Sequence, residues 1–463
     1  MGPEAEAASQ FAGLCDADLV ARYDKRLPRY TSYPTAPQFS ARVGPTEYRA
    51  WLAALPLDAT LSLYLHIPFC RELCFYCGCH TTVARRYSPV AAYVDSLLRE
   101  IAIVGRIIGE GRRVTHVHWG GGTPNILSPR HLLEITKTIR RRFEVVADSE
   151  IAVEIDPRTL SRPQVEALVA MGVNRVSLGV QDVEETVQRT INRVQPFEVT
   201  ERAVEWLREA GITAVNLDLM YGLPHQTVAS VARSTATVLA LAPSRVAVFG
   251  YAHVPWMKRH QALIPEALLP GPLERLEQMR AASATLTGAR YAAIGLDHFA
   301  APDDPLAAAQ RTGRLHRNFQ GYTTDEATAL IGFGTSSISR LPEGFVQNLS
   351  RTLDYNEAVD ADRPATARGI AVTPDDRLRG AIIERLMCDL AVDLEAVAIE
   401  HRIDPLFFRP ELAAIGPLTA DGLVKRDGFR LEVPSAARPL VRAVCAVFDR
   451  YLASETGRYS RAV

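Results

Sequence analysis

The stretch Leu61-Ser62-Leu63-Tyr64-Leu65-His66-Ile67-Pro68-Phe69-Cys70-Arg71-Glu72-Leu73-Cys74-Phe75-Tyr76-Cys77 decides the fold. Residues 61–66 read as a strand, and three cysteines spaced C-x3-C-x2-C follow it directly. Ser88-Pro89 then opens a helix with an apolar stripe at Val94, Leu97, Leu98, Ile101 and Val104. The cycle repeats downstream. Residues 114–119 lead into Gly120-Gly121-Gly122-Thr123-Pro124 and a helix opened by Ser128-Pro129, and residues 150–155 lead into a helix over 161–171. Further strands are expected at 175–180, 214–219, 246–251 and 291–296. Strands alternating with helices predict right-handed βαβ units and a parallel sheet, closed into a full or partial (β/α) barrel or left open and doubly wound. In either form the functional loops stand at the carboxyl ends of the strands. The cysteine loop, the glycine loop, Glu154, Gln181 and Asp218 all fall at or just past expected strand ends, which gathers them on one face.

Outside that rhythm the chain changes character. Residues 1–45 form a Pro- and Tyr-rich arm, 46–360 an α/β domain, and 361–463 a mostly helical domain with helices over 377–390 and 436–452. Between those helices, residues 422–433 read as a β-hairpin. A helical domain with one hairpin suits either a winged-helix reader of DNA or a packing or lid domain, and the few basic residues on the hairpin favour the second.

Composition narrows the function. The chain has 463 residues, 47% hydrophobic and 23% charged, ample for a large buried core. Lys+Arg 52 against Asp+Glu 53 leaves a net charge of -1, which argues against a globally basic nucleic-acid binder. Lys stands only at 25, 137, 258 and 425, so Arg carries nearly all the positive charge and is the residue suited to bidentate carboxylate binding. No apolar run reaches the ~20 residues of a membrane span. The acidic start, Met1-Gly2-Pro3-Glu4-Ala5-Glu6, does not read as a secretory signal. A cytoplasmic protein with no membrane or nucleic-acid partner is expected.

Cysteines stand at 15, 70, 74, 77, 79, 388 and 445, four of them within ten residues. Such crowding in a cytosolic chain points to metal or redox chemistry rather than to a disulfide framework. A cubane iron-sulfur cluster is held by thiolates, and three protein ligands leave one iron open for a substrate or cofactor. Structural zinc is the competing reading, with Cys79, His80 or His66 as a fourth ligand. The glycine loop lacks the Lys-Ser/Thr of a phosphate-binding loop and the G-x-G-x-x-G of a dinucleotide fold, so nucleotide readings fail. It is either a tight turn or a close approach of backbone to ligand. Glu154 and Asp218, ending two strands, are suited to accept hydrogen bonds from ribose hydroxyls, as the acidic residue of dinucleotide folds does.

The three-cysteine loop after the first strand resembles the defining motif of the radical S-adenosylmethionine (SAM) enzymes. That resemblance implies a partial (β/α) barrel and a 4Fe-4S cluster held by Cys70, Cys74 and Cys77. Its open iron would chelate SAM, and one electron would cleave the sulfonium to methionine and a 5′-deoxyadenosyl radical. The glycine loop is similar to the one that binds the methionine amino group.

Within that class the chain is most similar to the oxygen-independent coproporphyrinogen III oxidases. Pro28-Arg29-Tyr30-Thr31-Ser32-Tyr33-Pro34-Thr35 resembles their arm, and Cys77-Gly78-Cys79 their extra cysteine. Gly295-Leu296-Asp297-His298-Phe299-Ala300, the segment 315–324 and the tail 448–452 with Tyr459-Ser460-Arg461 resemble their internal signatures. The resemblance implies two SAM molecules beside one cluster. Tyr64, Gly121, Glu154 and Ile338 would serve the first, and Tyr76, Gly122, Thr123, Gln181, Arg193, Asp218 and Ala252 the second. Cys79 would lie outside the cluster, with a redox, hydrogen-donating or structural role. The implied partners are coproporphyrinogen III, an electron donor and a terminal acceptor, for a monomeric enzyme that turns two propionates into vinyl groups. Four substrate carboxylates call for arginine anchors, with Arg29, Arg311 and Arg317 as candidates. A heme chaperone and a heme-opening radical methyltransferase are the competing functions, and chaperones of this fold typically lack the Cys79-type cysteine and the arm.

Overall fold

A computed structural model describes residues 17–452 together with Tyr459 and Arg461. The acidic residues 1–6, Cys15 and Ser460 lie outside the described residues. Leucine and β-branched runs put strand β1 (Leu61–Ile67), buried along its whole length, inside a 12-stranded sheet. Strands β2 (Arg113–Gly121), β3 (Glu144–Ile155), β4 (Arg175–Gln181), β5 (Ala214–Tyr221) and β6 (Arg245–Gly250) follow it in order, each parallel to its neighbour. Helices α1 (Ser88–Ile108), α2 (Pro129–Arg142), α3 (Arg162–Met171), α4 (Phe197–Glu209) and α5 (Val228–Leu239) make the crossovers. Beyond β6 run β7 (Ala292–Ile294) and β8 (His298–Ala300), with β8 antiparallel to both. Strand β9 (Ala329–Phe333) returns parallel to the free side of β1, and β10 (Ile338–Leu341), β11 (Gly344–Asn348) and β12 (Thr366–Ala371) extend that flank antiparallel. Strands β12 and β7 form open edges, so the architecture is α/β, a partial barrel.

Period-2 alternation sorts the two faces. On β4 and β5 the buried Val176, Leu178, Val215 and Leu217 join the hydrophobic core with helix residues such as Leu97, Ile101, Leu132 and Val204. Ser177, Gly179, Asn216 and Asp218 stand on the opposite, polar face. The helix opened by Ser128 forms as expected, with the Ser128 hydroxyl accepting from the His131 backbone N–H at 3.3 Å.

Three expectations change. The strand expected at 291–296 stops at Ile294, where Gly295 turns the chain with φ +50 in a space the Tyr322 ring leaves to a glycine, and a second, antiparallel strand begins at His298. That turn delivers Asp297 and His298 to the polar face. The helix expected over 436–452 is broken into Ser435–Leu440, Val441–Cys445 and Ala446–Phe448, with Pro439 unable to donate inside it. The main sheet also runs on to Ala371, past residue 360, before the helical region begins at Pro374. The hairpin forms as Lys425–Asp427 and Arg430–Glu432 and gains a third strand, Ala391–Asp393. The arm packs on this C-terminal region: Tyr30 donates to Asp449 at 3.1 Å, and the Tyr33 hydroxyl accepts from the Arg450 N–H at 3.1 Å.

One buried acid ties α1 to the β9 flank. Glu100 accepts from the Gly334 N–H at 2.6 Å, from Asn348 at 2.6 Å and from the Tyr355 hydroxyl at 2.7 Å. Burial, only partly offset by these donors, raises its carboxyl to about 7. Between the unfolded value near 4.5 and about 7 the unfolded chain loses a proton that the folded one keeps, so stability falls as pH rises through this window. Glu100→Gln therefore flattens the pH dependence. Between pH 5 and pH 8, equilibrium unfolding shows the wild type losing about 2 to 3 kcal/mol more than the variant.

Candidate active site

The cysteine loop leaves β1 and is held against the glycine loop that leaves β2. Gly122 donates its N–H to the Ile67 carbonyl at 2.8 Å, and a Cβ there would lie 2.5 Å from Thr81 Oγ1 and 3.0 Å from Cys70 Sγ. Gly121 takes φ +115, with the His66 ring where its side chain would go. The glycines thus let two loops meet. Cys70 Sγ lies 3.1 Å from Thr81 Oγ1 and accepts from Thr123 Oγ1 at 3.3 Å. Cys74 Sγ is buried, 3.7 Å from Arg193 Nη1 and 3.9 Å from Arg158 Nη2.

From the other side, a segment the sequence reading passed over braces the same loop. Gln261 donates to the Tyr76 carbonyl at 2.9 Å, His260 to that of Cys77 at 2.8 Å and Lys258 to that of Cys79 at 2.9 Å. A hydrogen bond from Cys79 pulls the Cys77 thiol down to about 7 against the effect of burial, with Lys258 and Arg193 assisting.

Cys70, Cys74, Cys77 and Cys79 all line one cavity of about 610 Å³. Cysteine sulfurs flanked by cations and hydroxyl donors on one cavity wall suit a cluster, which binds them as thiolates. Among the described residues no three His, Cys, Asp or Glu side chains are gathered to hold a single metal ion. Of the fourth ligands considered for zinc, the two histidines are engaged elsewhere, while Cys79 stays on the cavity wall. His66 donates from Nε2 to the His80 carbonyl at 2.9 Å and accepts at Nδ1 from Tyr64 at 3.1 Å, while His80 reaches the Ser350 carbonyl at 2.6 Å. Burial lowers His66 to about 4, which keeps it neutral.

The structure brings Tyr76, Gly121, Gly122, Thr123, Glu154, Gln181, Arg193, Asp218 and Ala252 to this same cavity. Tyr64 and Ile338 are not among its lining. Tyr64 is buried behind it, edge-on to the Phe319 ring that faces the cavity, and Ile338 begins β10. Glu154, at the end of β3, bonds His118 at 3.1 Å and the Gly121 N–H at 3.3 Å. Gln181 ends β4 at an irregular step in its pairing with β5, with φ +72, a strained conformation of the kind found at functional sites. Arg193 is buried, donates to the Gly179 carbonyl at 2.6 Å and lies 3.6 Å from Asp156. Burial raises Asp218 to about 6, against hydrogen bonds from Ser177 at 2.9 Å and Asn216 at 2.7 Å.

Of the three arginine candidates, Arg29 and Arg317 line the cavity. Arg311 does not: it is exposed at the end of the helix Pro305–Arg311. Asp297 and His298, carried in by the Gly295 turn, line it as well. Although burial works against it, the His298 hydrogen bond and the charges of Arg317 and Arg29 hold Asp297 down at about 2.

A parallel partial barrel with a three-cysteine loop at the end of its first strand defines a radical SAM protein, and the chain matches the radical SAM superfamily over residues 64–236. Residues 372–440 match the HemN C-terminal domain. Oxygen-independent coproporphyrinogen III oxidase of Bradyrhizobium diazoefficiens is 50% identical over 448 residues, 96% of this chain and 100% of that one. The enzyme of the same name from Escherichia coli is 42% identical, over 94% of this chain and 95% of its own. The solved structure of coproporphyrinogen III oxidase (HemN) from Escherichia coli, a radical SAM enzyme, superposes with a TM-score of 0.88 at 40% identity, covering 92% of this chain and 100% of that one. The chain belongs to the family of oxygen-independent coproporphyrinogen III oxidases.

Proposed function

We propose that this radical SAM oxidoreductase decarboxylates two propionates of coproporphyrinogen III to vinyl groups, giving protoporphyrinogen IX in the cytoplasm, as a monomer served by a separate electron donor and acceptor. The observation that carries the reading is the convergence of Cys70, Cys74 and Cys77 on one cavity with Glu154, Gln181, Arg193 and Asp218. A bound 4Fe-4S cluster would supply the single electron for reductive cleavage of SAM, and SAM-derived radical chemistry would supply hydrogen abstraction from a propionate, with the electron released on loss of CO2 passing to the separate acceptor. The chain's own task is placement, because geometry rather than acid-base chemistry controls a radical step. Cys70, Cys74 and Cys77 would hold the cluster, and the braces from Lys258, His260 and Gln261 keep their loop in place.

Two SAM molecules would be served by two sets of residues: one by Gly121 and Glu154 with Tyr64 and Ile338 behind, a second by Tyr76, Gly122, Thr123, Gln181, Arg193, Asp218 and Ala252, and the support for this is that all but Tyr64 and Ile338 line the cysteine cavity. Arg193 is suited to a carboxylate, and Glu154 and Asp218 to ribose hydroxyls. Asp218 accepts such bonds more strongly when ionised, as charge-assisted ones, so SAM affinity is expected to fall as pH drops through about 6. Equilibrium dialysis between pH 5 and pH 8 checks this, and Asp218→Asn removes the pH dependence. Cys79, a free thiol exposed on the cavity wall and hydrogen-bonded to Cys77, is suited to hydrogen donation near the substrate.

Relatives at this identity carry the name of the oxidase rather than of a heme chaperone, which favours turnover over carriage. The test is anaerobic: protein with a reconstituted cluster is given dithionite, SAM and coproporphyrinogen III, and 5′-deoxyadenosine and protoporphyrinogen are followed by mass. Both products support the reading. 5′-Deoxyadenosine without decarboxylated porphyrinogen removes the substrate assignment and leaves the SAM chemistry.

A further inference from the structure

A second cavity of about 430 Å³ adjoins the cysteine cavity, and Arg29, Gly250, Tyr251, Ala252, Asp297 and Arg317 line both. Its wall adds Arg26, Arg275, Arg442 and Arg461. Among the described residues, six guanidinium groups therefore surround one space with three carboxylates, Asp24, Asp297 and Glu266. Two of those carboxylates offset part of the charge, Asp24 by pairing with Arg461 at 3.2 Å and Asp297, bonded to His298 at 2.8 Å, by its field on Arg29 and Arg317, while Glu266 faces His253 at 3.3 Å; the arginines remain in excess. Arg317 is held over the Tyr322 ring at 4.4 Å, and its Nε and Nη1 are buried without a hydrogen-bond partner. Burial pushes Arg442 down to about 10, with Arg29 and Arg317 adding repulsion. Buried donors without partners, inside a set of like charges, are costly unless an anion completes them.

We infer that this second cavity is the carboxylate-holding half of the substrate site, in which Arg29 and Arg317 bind the propionates that are not reacting. The inference rests on the tetrapyrrole reading above. Propionates leave a tetrapyrrole from separate rings around its rim, so when one is turned toward the cysteine cavity the others point away from it. Arg29 and Arg317 stand where the two cavities meet, and Arg275 and Arg442 set the positive field behind them. Arg29 comes from the N-terminal arm and Arg442 from the C-terminal region, so the arm and that region together close the end of the site that selects for charge. The same arrangement keeps a doubly carboxylated product bound until its remaining propionates exchange with solvent.

The test is an anaerobic fluorescence titration of the cluster-loaded protein with coproporphyrin III and with its tetramethyl ester, which keeps the macrocycle and removes the four charges. The wild type is expected to bind the free acid at least tenfold more tightly than the ester. Arg29→Gln and Arg317→Gln should each weaken binding of the acid by roughly tenfold and leave the ester unchanged, the size of one charge-assisted contact. Arg317→Lys, which keeps the charge and loses the planar fork, should recover part of the loss. Arg29 is exposed, so Arg29→Gln tests the inference even if the Arg317 variants unfold. Variants that bind the acid as the wild type does overturn this assignment while the functional reading stands. A wild type that binds neither compound overturns the functional reading and this assignment with it.

Discussion

Cys74→Ala is expected to abolish both 5′-deoxyadenosine and decarboxylated porphyrinogen, reducing each to the level of a reaction without enzyme. Cys74 is the buried member of the three-thiol loop, and its sulfur lies against Arg193 and Arg158 at 3.7 and 3.9 Å. With it gone, two thiols remain, and two cannot hold a cubane cluster open at a single iron. Iron and sulfide analysis after reconstitution should find little cluster, while far-ultraviolet circular dichroism stays that of the wild type. The loop's backbone is held independently, by Gly122 on one side and by Lys258, His260 and Gln261 on the other. A Cys74→Ala protein that loads a normal cluster and cleaves SAM would contradict the cluster assignment outright.

The second large effect is expected at Arg193. Its guanidinium donates to the Gly179 carbonyl at 2.6 Å, lies 3.6 Å from Asp156 and touches Cys74 Sγ, which places one buried cation between the cysteine loop and the strained end of β4. Arg193→Met keeps most of the side chain's volume and removes the charge. Asp156 retains Arg158 at 2.7 Å and Gly179 retains Gln195 at 3.2 Å, so the neighbouring groups are not left bare and folding should survive. On the proposed function, what is lost is the charge-assisted donor that would meet a SAM carboxylate, worth about 1.5 to 3 kcal/mol, or roughly 100-fold at the upper end. Turnover and SAM affinity should fall by that factor with cluster content unchanged. Arg193→Lys should recover only part, because an ammonium cannot reproduce the planar fork. An Arg193→Met protein that keeps wild-type SAM affinity would show that the arginine serves only to pack the loop.

Much of the site is legible in the chain because it is built on strand ends. β1 to β6 succeed one another in sequence and in space, so a residue that ends a strand in the sequence ends up on the same rim in the fold. The cysteine loop, Gly121, Glu154, Gln181 and Asp218 could be placed together for that reason. The glycine loop was legible as a close approach but not as an approach to what. Its partners are Thr81, Cys70 and His66, residues far off in sequence whose side chains occupy the space a Cβ would take. The broken strand at Gly295 was hidden because the residues on either side are apolar and read as one run, whereas the turn is fitted to Tyr322, whose ring fills the space of a Cβ at 295 and whose hydroxyl accepts from the Leu296 N–H.

The arginines show the limit most clearly. Composition marked Arg as the carrier of positive charge, and resemblance selected Arg29, Arg311 and Arg317, yet nothing local separates an arginine that faces a cavity from one that faces water. Arg311 is exposed on a short helix, while Arg275 and Arg442, from helices far apart in the chain, meet Arg29 and Arg317 around one space. Glu100 behaves in the same way: on the apolar stripe of α1 it looks like an ordinary polar residue, and only three donors from beyond residue 330 make it a buried acid. The sequence by itself determined the βα order, the thiol spacing and the strand-end acids, because these depend on periodicity and on contacts between neighbours along the chain. The tertiary structure alone decided which charges share a cavity, because burial and Coulomb interactions depend on distance in space, which long crossovers and a returning C-terminal region set independently of separation in the chain.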